Sequence, residues 1–408
     1  MIETKSKNDF TTIQIGNNFS INVFYSINQV LSEWDDLAIL HQNKLLSRTF
    51  LHCVEAFPPN GITFCYAILY HKNKAVGKIY CQIKHFKAAE SLNQEEINAK
   101  NAPCFFSTMT NFMKGWVADK VEFITLICGS LLFTGEHGFY FDEKYVPAAE
   151  QSAMLERSLS VVQQDLNNRF KKNIAATLIK DFYPTTNTKD LVVRNYNEFQ
   201  IDPNMVLHIR NWKNFDDYLD AMHSKYRVRV RRAKKKLEGI KKMEFNLEQV
   251  QEYGVEIYSL YKRVAQNAGF NLVDLHPNYI PYLASKMSDI FRCFGYFDEN
   301  NVLIGFYSTI KNGNELEAHF LGFDQALNQE KQIYLNILYD IVELGILENC
   351  YSVIFARTAM EIKSSVGAIP YEMNCYLLHQ NSFVNRFMKP ILDYLRPQEE
   401  WLPRHPFK

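Results

Sequence analysis

Two stretches of this 408-residue chain repeat the same order of short β-strands and polar turns, and this repeat limits the possible folds more than any other feature. In residues 62–86, two runs rich in Ile, Tyr, Phe and Val flank a polar turn at residues 71–74. In residues 290–324, three such runs are separated by the turns "DENN" and "KNGNE". A repeat of this kind predicts two units built on one plan.

Helical and strand-like segments surround both sets of strands. They are a strand at 122–128, a helix at 148–169 and a strand at 173–182 in the first half, and helices at 250–269 and 331–345 and a strand at 351–356 in the second. This order predicts an α+β fold with mixed sheets. Polar residues and turn signals at 187–204 place the boundary between domains at 1–200 and 201–408.

The composition is that of a folded globular protein, with 47% hydrophobic and 22% charged residues. The polar first sixteen residues predict no secretory signal, and the most apolar run, 123–133, is too short to span a membrane. Eight cysteines without a CxxC pair or a Cys/His cluster predict reduced thiols and no metal site. We therefore expect a cytoplasmic protein, and leave open a peripheral contact with the inner face of the membrane.

Positive charge is concentrated in one segment. Residues 225–242 hold ten Lys or Arg and one acid, a local charge of +9, so the rest of this neutral chain carries −9. Within "SKYRVRVRRAKKKLEG" (224–239), apolar residues recur at helical spacing: Tyr226, Val230, Ala233 and Leu237. The pattern predicts an amphipathic helix with Ser224 as its N-cap and Gly239 as its stop.

The charged side of this helix carries almost only cations, among them Arg227, Arg231, Lys234 and Lys235. A solvated face is one interpretation, but such faces usually mix signs because like charges one turn apart repel. The pattern favours an anionic partner: phosphates, an acidic carrier protein or anionic lipid headgroups. We predict that these four residues bind the donor or its carrier.

A second motif, "FARTAMEIKSSVGAIP" (355–370), follows a predicted buried strand. Together with the basic segment it resembles the Fem-type (FemAB-like) branch of the GNAT acyltransferase superfamily. In that branch a helix of the form "sKxRxxxRxAxKxG" opens the second unit and a "GrxxxxxKxxxGa" segment closes it. The resemblance covers mainly residues 206–380. It implies two tandem GNAT-like domains and an enzyme that transfers an acyl or aminoacyl group to an amine.

The chain departs from the family pattern at three places. It lacks the long coiled-coil insertion of some Fem-type transferases, and "IFA" stands before Arg357 where a glycine is common. "GFDQALNQEKQ" replaces the Gly-rich GNAT pyrophosphate loop, which weakens the case for coenzyme A at that position. We expect no tightly bound cofactor, with acyl-CoA or an acyl carrier protein thioester as co-substrate.

The resemblance also implies roles for three residues of the second motif. It places Arg357, Glu361 and Lys363 at the donor or substrate cleft, with Arg357 binding substrate and the other two in catalysis. The alternative is that Arg357 and Glu361, which are four residues apart, pair with each other.

Two residues near the third strand of the second unit are further candidates. His319 lies in "EAHFLGF" with Glu317 on the same side of the strand, and it is our candidate base for removing a proton from the acceptor ammonium. A structural hydrogen bond within the sheet is the alternative for His319. Asp324, just past the strand, either orients the amine or caps the following turn.

A glycine-punctuated loop, "CGSLLFTGEHGFYF" (128–141), follows an apolar strand in the first half. Its glycines can bring backbone N–H groups close to an anion. Glu136 and His137 form an acid/base pair that we assign to substrate binding. A bulged turn with exposed polar tips is the alternative.

These features together predict an N-acyltransferase that transfers an acyl group from an acyl carrier protein or coenzyme A thioester to an amine, which is a lipid or an amino acid. The abundance of Phe and Tyr favours a long acyl chain. One alternative is aminoacyl transfer from tRNA, with the basic helix binding the RNA. Another is a non-catalytic protein that binds a lipid or a carrier.

Overall fold

The computed structural model describes residues 10–16, 18–87, 122–171, 173–184, 186–266, 273–395 and 401–408. Short runs of alternating or continuous apolar residues form its strands. The strands are β1 (Thr11–Ile15), β2 (Phe19–Phe24), β3 (Ile62–His71), β4 (Lys74–Lys87), β5 (Glu122–Cys128), β6 (Phe139–Phe141), β7 (Ile174–Phe182), β8 (Asn197–Gln200), β9 (Asn204–His208), β10 (Lys241–Glu244), β11 (Phe291–Phe297), β12 (Leu303–Asn312), β13 (Glu315–Phe323), β14 (Ser352–Ile354), β15 (Ile369–Tyr371) and β16 (Asn374–His379).

Helices connect and cover these strands. They are α1 (Glu33–His41), α2 (Arg48–Ala56), α3 (Gln151–Phe170), α4 (Lys189–Val193), α5 (Phe215–Ala221), α6 (Ser224–Lys236), α7 (Leu247–Glu252), α8 (Gly254–Gln266), α9 (Tyr279–Lys286), α10 (Gln325–Lys331), α11 (Ile333–Leu347), α12 (Met360–Ser365) and α13 (Ser382–Leu395). Short 3₁₀ turns lie at Ile27–Gln29, Lys44–Leu46 and Ala148–Glu150.

The strands form two mixed sheets. The first has the order β1-β2-β3-β4-β5-β7-β16-β8, with β6 also paired to β4, and the second has the order β10-β11-β12-β13-β14-β9-β15. In each sheet one pair is parallel, β5 with β7 and β13 with β14, and the other neighbours are antiparallel. This arrangement confirms the α+β fold with mixed sheets that the sequence predicts.

One strand from the second half of the chain lies in the sheet of the first half. β16, from the end of the chain, pairs with β7 and β8 in the first sheet. β9, from the middle, pairs with β14 and β15 in the second. The predicted division after residue 200 falls between β8 and β9. We propose that residues 374–395 belong with the first unit, since β16 lies in its sheet and α13 packs on β8 and β16.

Each sheet buries both faces. On β3, Ile62, Phe64, Tyr66 and Ile68 face a large central core, whereas Cys65, Ala67 and Leu69 face α3. The central core also contains residues of α2, α8 and α9, so it joins the two halves. The outer face of the second sheet is covered by α6 and α11, which pack on residues such as Tyr307 and Leu316.

The basic helix α6 packs as its apolar stripe predicts. Tyr226, Val230 and Ala233 are buried, and Gly239 has φ +85° just past the helix end. The prediction of Ser224 as N-cap is wrong, because His223 holds the extended capping position and Ser224 begins the helix. The His223 N–H donates to the Pro406 carbonyl, which fixes this residue outside the helix.

Two other predicted helices differ in their ends. The predicted helix 250–269 is divided into α7 and α8, and α7 begins earlier because Asn246 and Gln249 form a capping box. The stop at Gly269 lies outside the described residues. Gly345 does not end α11 but lies inside it, where a Cβ would come within 2.7 Å of Val353 Cγ2, so this glycine serves close packing.

Within the described residues, no helix is both long enough and apolar enough to cross a membrane. The seven cysteines in these ranges are free and buried.

Gly322 offers a test of how closely α8 packs on β13. A Cβ at this position would lie 2.4 Å from the Leu260 carbonyl carbon and 2.5 Å from the Tyr261 nitrogen. Because both are backbone atoms of a helix that packs on the sheet, we expect Gly322→Ala to lower the free energy of unfolding by about 3 kcal/mol. Denaturant titration would measure the change. Gly254→Ala is the control, since the nearest atom is Pro281 Cγ at 3.2 Å, and should change stability by less than about 1 kcal/mol. Equal effects of the two substitutions would contradict this account.

Candidate functional site

A cavity of about 270 Å³ lies between the two sheets. Both halves of the chain line it: the segment after α1, the glycine-punctuated loop, the ends of β7 and β14, the start of β9, and the β12–β13 turn. The lining residues are His41, Gln42, Asn43, Thr134, Gly135, Glu136, His137, Tyr183, Asn204, Asn312, Gly313, Asn314, Glu315, Glu317 and Ile354. Both halves are therefore needed to form this cavity.

His137 is held in one tautomer. The Leu45 N–H donates to Asn43 Oδ1 (3.1 Å), which orients the amide so that Asn43 Nδ2 donates to His137 Nδ1 (2.9 Å). Burial and the Lys180 cation lower the pKa of His137 to about 4, so the ring is neutral at pH 7. Its proton is therefore on Nε2, which lies 4.0 Å from Glu317 Oε1.

Glu317 is the most buried carboxylate in the cavity wall, with 3% of its surface exposed. It lies on β13 opposite Ile310, on the sheet face that looks toward the central core. Burial and repulsion from Glu315 raise the pKa of Glu317 well above its usual range. A carboxyl group with a raised pKa keeps its proton at pH values where an ordinary glutamate is ionised.

Two buried polar atoms of the wall have no hydrogen-bond partner in the described structure. Asn204 is 1% exposed and contacts the Tyr183 hydroxyl, but its Oδ1 is unpaired. His41 Nδ1 is likewise unpaired, and burial together with the Lys78 cation lowers the pKa of His41 to about 3. Because both atoms can accept a hydrogen bond, they fit a ligand that carries N–H or O–H donors.

The wall contains three carboxylates. Glu136 Oε1 accepts hydrogen bonds from the Tyr183 N–H (3.0 Å) and Thr186 Oγ1 (2.9 Å), and Glu315 Oε1 accepts one from Ser352 Oγ (3.0 Å). These bonds hold both side chains in place in the cavity wall. The charge and the unpaired acceptors both favour a cationic ligand.

A buried ion cluster supports the cavity from behind. Asp181, fully buried at the end of β7, accepts hydrogen bonds from Lys180 Nζ, from both terminal nitrogens of Arg357 and from the Gly135 N–H (3.1 Å). Burial alone would raise the pKa of Asp181, but the Lys180 and Arg357 charges hold it well below its usual range. Arg357 also donates to Thr134 Oγ1 (3.2 Å) and the Asp202 carbonyl (2.8 Å). The cluster thus joins the glycine-punctuated loop to the second half of the chain.

Lys363 supports the segment that carries Arg357. Its buried ammonium donates to the carbonyls of Phe355 (2.6 Å), Ala356 (3.3 Å) and Arg357. Ala356, Thr358 and Ala359 in this segment all have left-handed φ values, 55°, 67° and 48°. Such backbone is costly for residues other than glycine and needs this support. Ala356 stands where the resemblance led us to expect a glycine, and its left-handed φ is one that glycine adopts without strain.

The structure places several predicted site residues outside the cavity. His319 is buried behind the wall, where its ring nitrogens contact the Tyr279 hydroxyl (3.2 Å) and Ser308 Oγ (3.1 Å). Glu361 is exposed and pairs with Arg404 rather than Arg357. Asp324 caps α10 and pairs with Arg263 (3.1 Å), as its alternative interpretation predicts.

The predicted donor-binding residues lie on the far side of the second sheet. α6 packs against α11, and its buried residues belong to the outer core, whereas Glu317 faces the central core. Lys234 pairs with the buried Asp340 (2.5 Å), and Arg227 lies 4.0 Å from Asp220. Arg231 and Lys235 are exposed. These four residues therefore do not line the cavity.

Of the predicted site residues, Glu136 and His137 line the cavity and Arg357 supports it. Sequence reasoning missed Asn204, Asp181 and His41. Asp181 lies in a strand-like run and Asn204 lies at the predicted domain boundary. Neither belongs to a motif that indicates a functional site.

The ion cluster around Asp181 should contribute strongly to the free energy of unfolding. Asp181→Asn leaves Arg357 and Lys180 buried without their counter-charge, and we expect the free energy of unfolding at pH 7 to fall by about 3–5 kcal/mol. Because the folded pKa of Asp181 lies below the unfolded value of 3.8, its contribution is present above that pH and is lost as the pH falls further. Denaturant titrations at several pH values would measure the free energy of unfolding. The loss of stability below pH 3.8 that is due to Asp181 should occur in the wild type and be absent from the variant.

Two further variants complete this test. If Asp181→Asn does not accumulate as folded protein, Arg357→Lys takes its place. This variant keeps the positive charge but loses the two-pronged hydrogen bonding to Asp181, so it should lower the free energy of unfolding by a smaller amount. Glu330→Gln, which removes an exposed pair with Lys331, should change little. An Asp181→Asn variant as stable as Glu330→Gln would contradict the structural role of the cluster.

The buried neutral ring of His137 predicts a second pH dependence. Its pKa is about 4 in the folded state against 6.5 unfolded, so stability is present above pH 6.5 and is lost as the pH falls toward 4. This loss amounts to about 3 kcal/mol. We expect His137→Gln to reduce the change in unfolding free energy between pH 7 and pH 4 by that amount, and a pH dependence identical to the wild type would refute it. His41 and His319 titrate in the same direction and remain in both proteins.

Comparison with known proteins gives no match to any family model and none to any curated protein sequence. Solved structures do match. A crystal structure of FemX superposes with a TM-score of 0.53 at 11% identity, covering 90% of this chain and 99% of the FemX chain. A tandem GNAT protein from the clavulanic acid biosynthesis pathway has a TM-score of 0.48 at 10% identity, covering 88% and 98% of the two chains.

The C-terminal domain of a putative lysylphosphatidylglycerol synthetase from Agrobacterium fabrum gives a TM-score of 0.46 at 9% identity, covering 91% of this chain and 97% of that domain. At such low identities the matches concern the fold alone, and the FemX superposition carries that conclusion. The resemblance predicted from the two motifs is confirmed at this level: the chain has a Fem-type, tandem GNAT-like fold.

Proposed function

We propose that this chain is an N-acyltransferase that binds an amine in the cavity between its sheets and transfers an acyl group to it. The observation that carries this proposal is the set of acceptors in the wall. Glu136, Glu315 and Glu317 are carboxylates, and Asn204 Oδ1 is buried without a partner. A ligand with a positive charge and several N–H donors, such as a primary ammonium, satisfies both requirements.

Glu317 is the proposed base, in place of His319. An ammonium next to Glu317 lowers the raised pKa of this carboxyl, because an opposite charge favours its ionised form. The carboxylate then takes a proton from the ammonium and leaves a neutral amine. His137 Nε2 lies 4.0 Å from Glu317 Oε1, which is too far for a direct hydrogen bond. Because burial lowers the pKa of His137 to about 4, this ring is a weak base, and we assign the role of base to Glu317.

The neutral amine nitrogen then attacks the acyl carbonyl carbon of a thioester. A C–N bond forms, the C–S bond breaks, and the second amine proton is balanced by protonation of the thiolate that leaves. The acyl donor in this proposal is acyl-CoA or an acyl carrier protein thioester, and the acceptor is an amino acid or an amine-bearing lipid. Transfer from aminoacyl-tRNA, in which an ester oxygen leaves, is the rival within the same fold.

The experiment is a donor and acceptor matrix with the purified chain. Three donors are tested: acyl-CoA, the acyl thioester of an acyl carrier protein, and aminoacyl-tRNA. Each is offered with an amino acid or with phosphatidylethanolamine, and the products are identified by mass spectrometry. Thiol release with formation of an amide supports the proposal. Turnover of aminoacyl-tRNA alone favours the rival, and ligand binding without turnover of any donor favours the non-catalytic alternative.

Glu317→Gln is the decisive variant. Because Gln keeps the shape but cannot accept the proton, we expect kcat/KM to fall about 100-fold or more. The variant should stay folded, since removing a buried carboxyl with a raised pKa removes a cost of burial. Glu330→Gln, exposed on α10, is the matched control and should keep full activity. Equal activity of the two variants would rule out Glu317 as the base.

A further inference from the structure

The surface of α6 divides into two flanks with different surroundings. On one flank, Arg227 and Lys234 lie beside the acidic residues Asp220, Asp340 and Glu343. On the other flank, cations recur at i, i+4, i+7 and i+11, the spacing of one continuous helix face. We call this set the basic stripe: Lys225, Arg229, Arg232 and Lys236.

All four residues of the basic stripe are exposed. No ion pair joins any of them to a carboxylate in the part of the chain that the structure describes. Lys225 contacts the Tyr226 ring at 5.0 Å, which leaves its charge uncompensated. The stripe is about 16 Å long, with roughly one cation per helical turn.

We propose that the basic stripe docks an acidic α-helix of a partner protein, at a surface separate from the cavity. A partner helix with carboxylates at i, i+4 and i+7 repeats its charge at the same interval, so the two rows can face each other along their length. Val228, 41% exposed beside the stripe, offers such a helix an apolar contact. Docking of a partner helix on the stripe would leave the apolar face of α6 buried in the outer core.

Two other anionic partners fit these observations less well. The chain outside residues 225–242 carries a charge of −9, which opposes a long polyanion such as RNA but not a short local contact. The exposed residues of α6 also include no aromatic side chain on which bases stack. A membrane-binding helix inserts its apolar face into the lipid, and in α6 that face is already used.

The test compares two doubly reversed variants of the full chain with the same change in net charge. Arg229→Glu/Arg232→Glu alters the stripe, whereas Lys144→Glu/Lys286→Glu alters exposed lysines elsewhere. The probe is a synthetic Ala-rich helical peptide with Glu at i, i+4, i+7 and i+11, and fluorescence anisotropy measures its Kd. We expect the stripe variant to bind about tenfold or more weakly than the wild type, and the control to bind like the wild type.

A second peptide with Lys at the same four positions should bind the stripe variant better than it binds the wild type. Circular dichroism confirms that both variants are folded. Equal loss of peptide binding in the two variants would overturn the proposal. So would stripe-dependent binding of tRNA or of phosphatidylglycerol vesicles in a chain that does not bind the peptide. Because acyl transfer is assayed independently, a negative result here leaves the proposed reaction standing.

Discussion

The charge of Asp181 must be compensated inside the protein, and much of the site geometry follows from how this is done. This carboxylate has no exposed surface, and Lys180, Arg357 and the Gly135 amide supply its hydrogen bonds. These groups come from a strand, from a strained segment of the second half and from the glycine-punctuated loop. One buried charge thereby sets the distance between the two halves at the point where the cavity lies.

Two buried carboxyl groups at the cavity have different pKa values because their neighbours differ. Glu317 and Asp181 are both deeply buried carboxylates, yet their pKa values shift in opposite directions. Asp181 has two cations as neighbours, whereas Glu317 has Glu315 and a neutral histidine. The group with cationic neighbours therefore stays ionised, while the pKa of Glu317, which has no cation beside it among the described residues, is raised.

Local patterns predicted the elements well and the site only in part. Alternation of apolar residues is a property of single strands, so the hairpins, the α6 stripe and the Glu136–His137 loop were visible in the sequence. Sheet neighbours depend on distant pairing, so the positions of β9 and β16 were not. The sequence pattern placed His319 and Glu317 on one side of a strand and made His319 the candidate base. A β-bulge opposite Ser308 and the packing of Tyr279 place only Glu317 at the cavity. Likewise, the motif placed Arg357, Glu361 and Lys363 at the cleft, but in the structure Glu361 pairs with Arg404 and Lys363 bonds backbone carbonyls. A motif alone cannot distinguish residues that support a loop from residues that contact substrate.

The position of β16 in the first sheet also orders events during synthesis. β7 leaves the ribosome long before β16, its neighbour in the first sheet, has been translated. Until then the first sheet has an open edge at β7, and such an edge can pair with other chains. Contacts of such large sequence separation slow folding, because a long loop must close before they form. A nascent chain of this protein therefore has a prolonged interval in which chaperones or premature aggregation compete for that edge, and its first half cannot reach its final form ahead of the second.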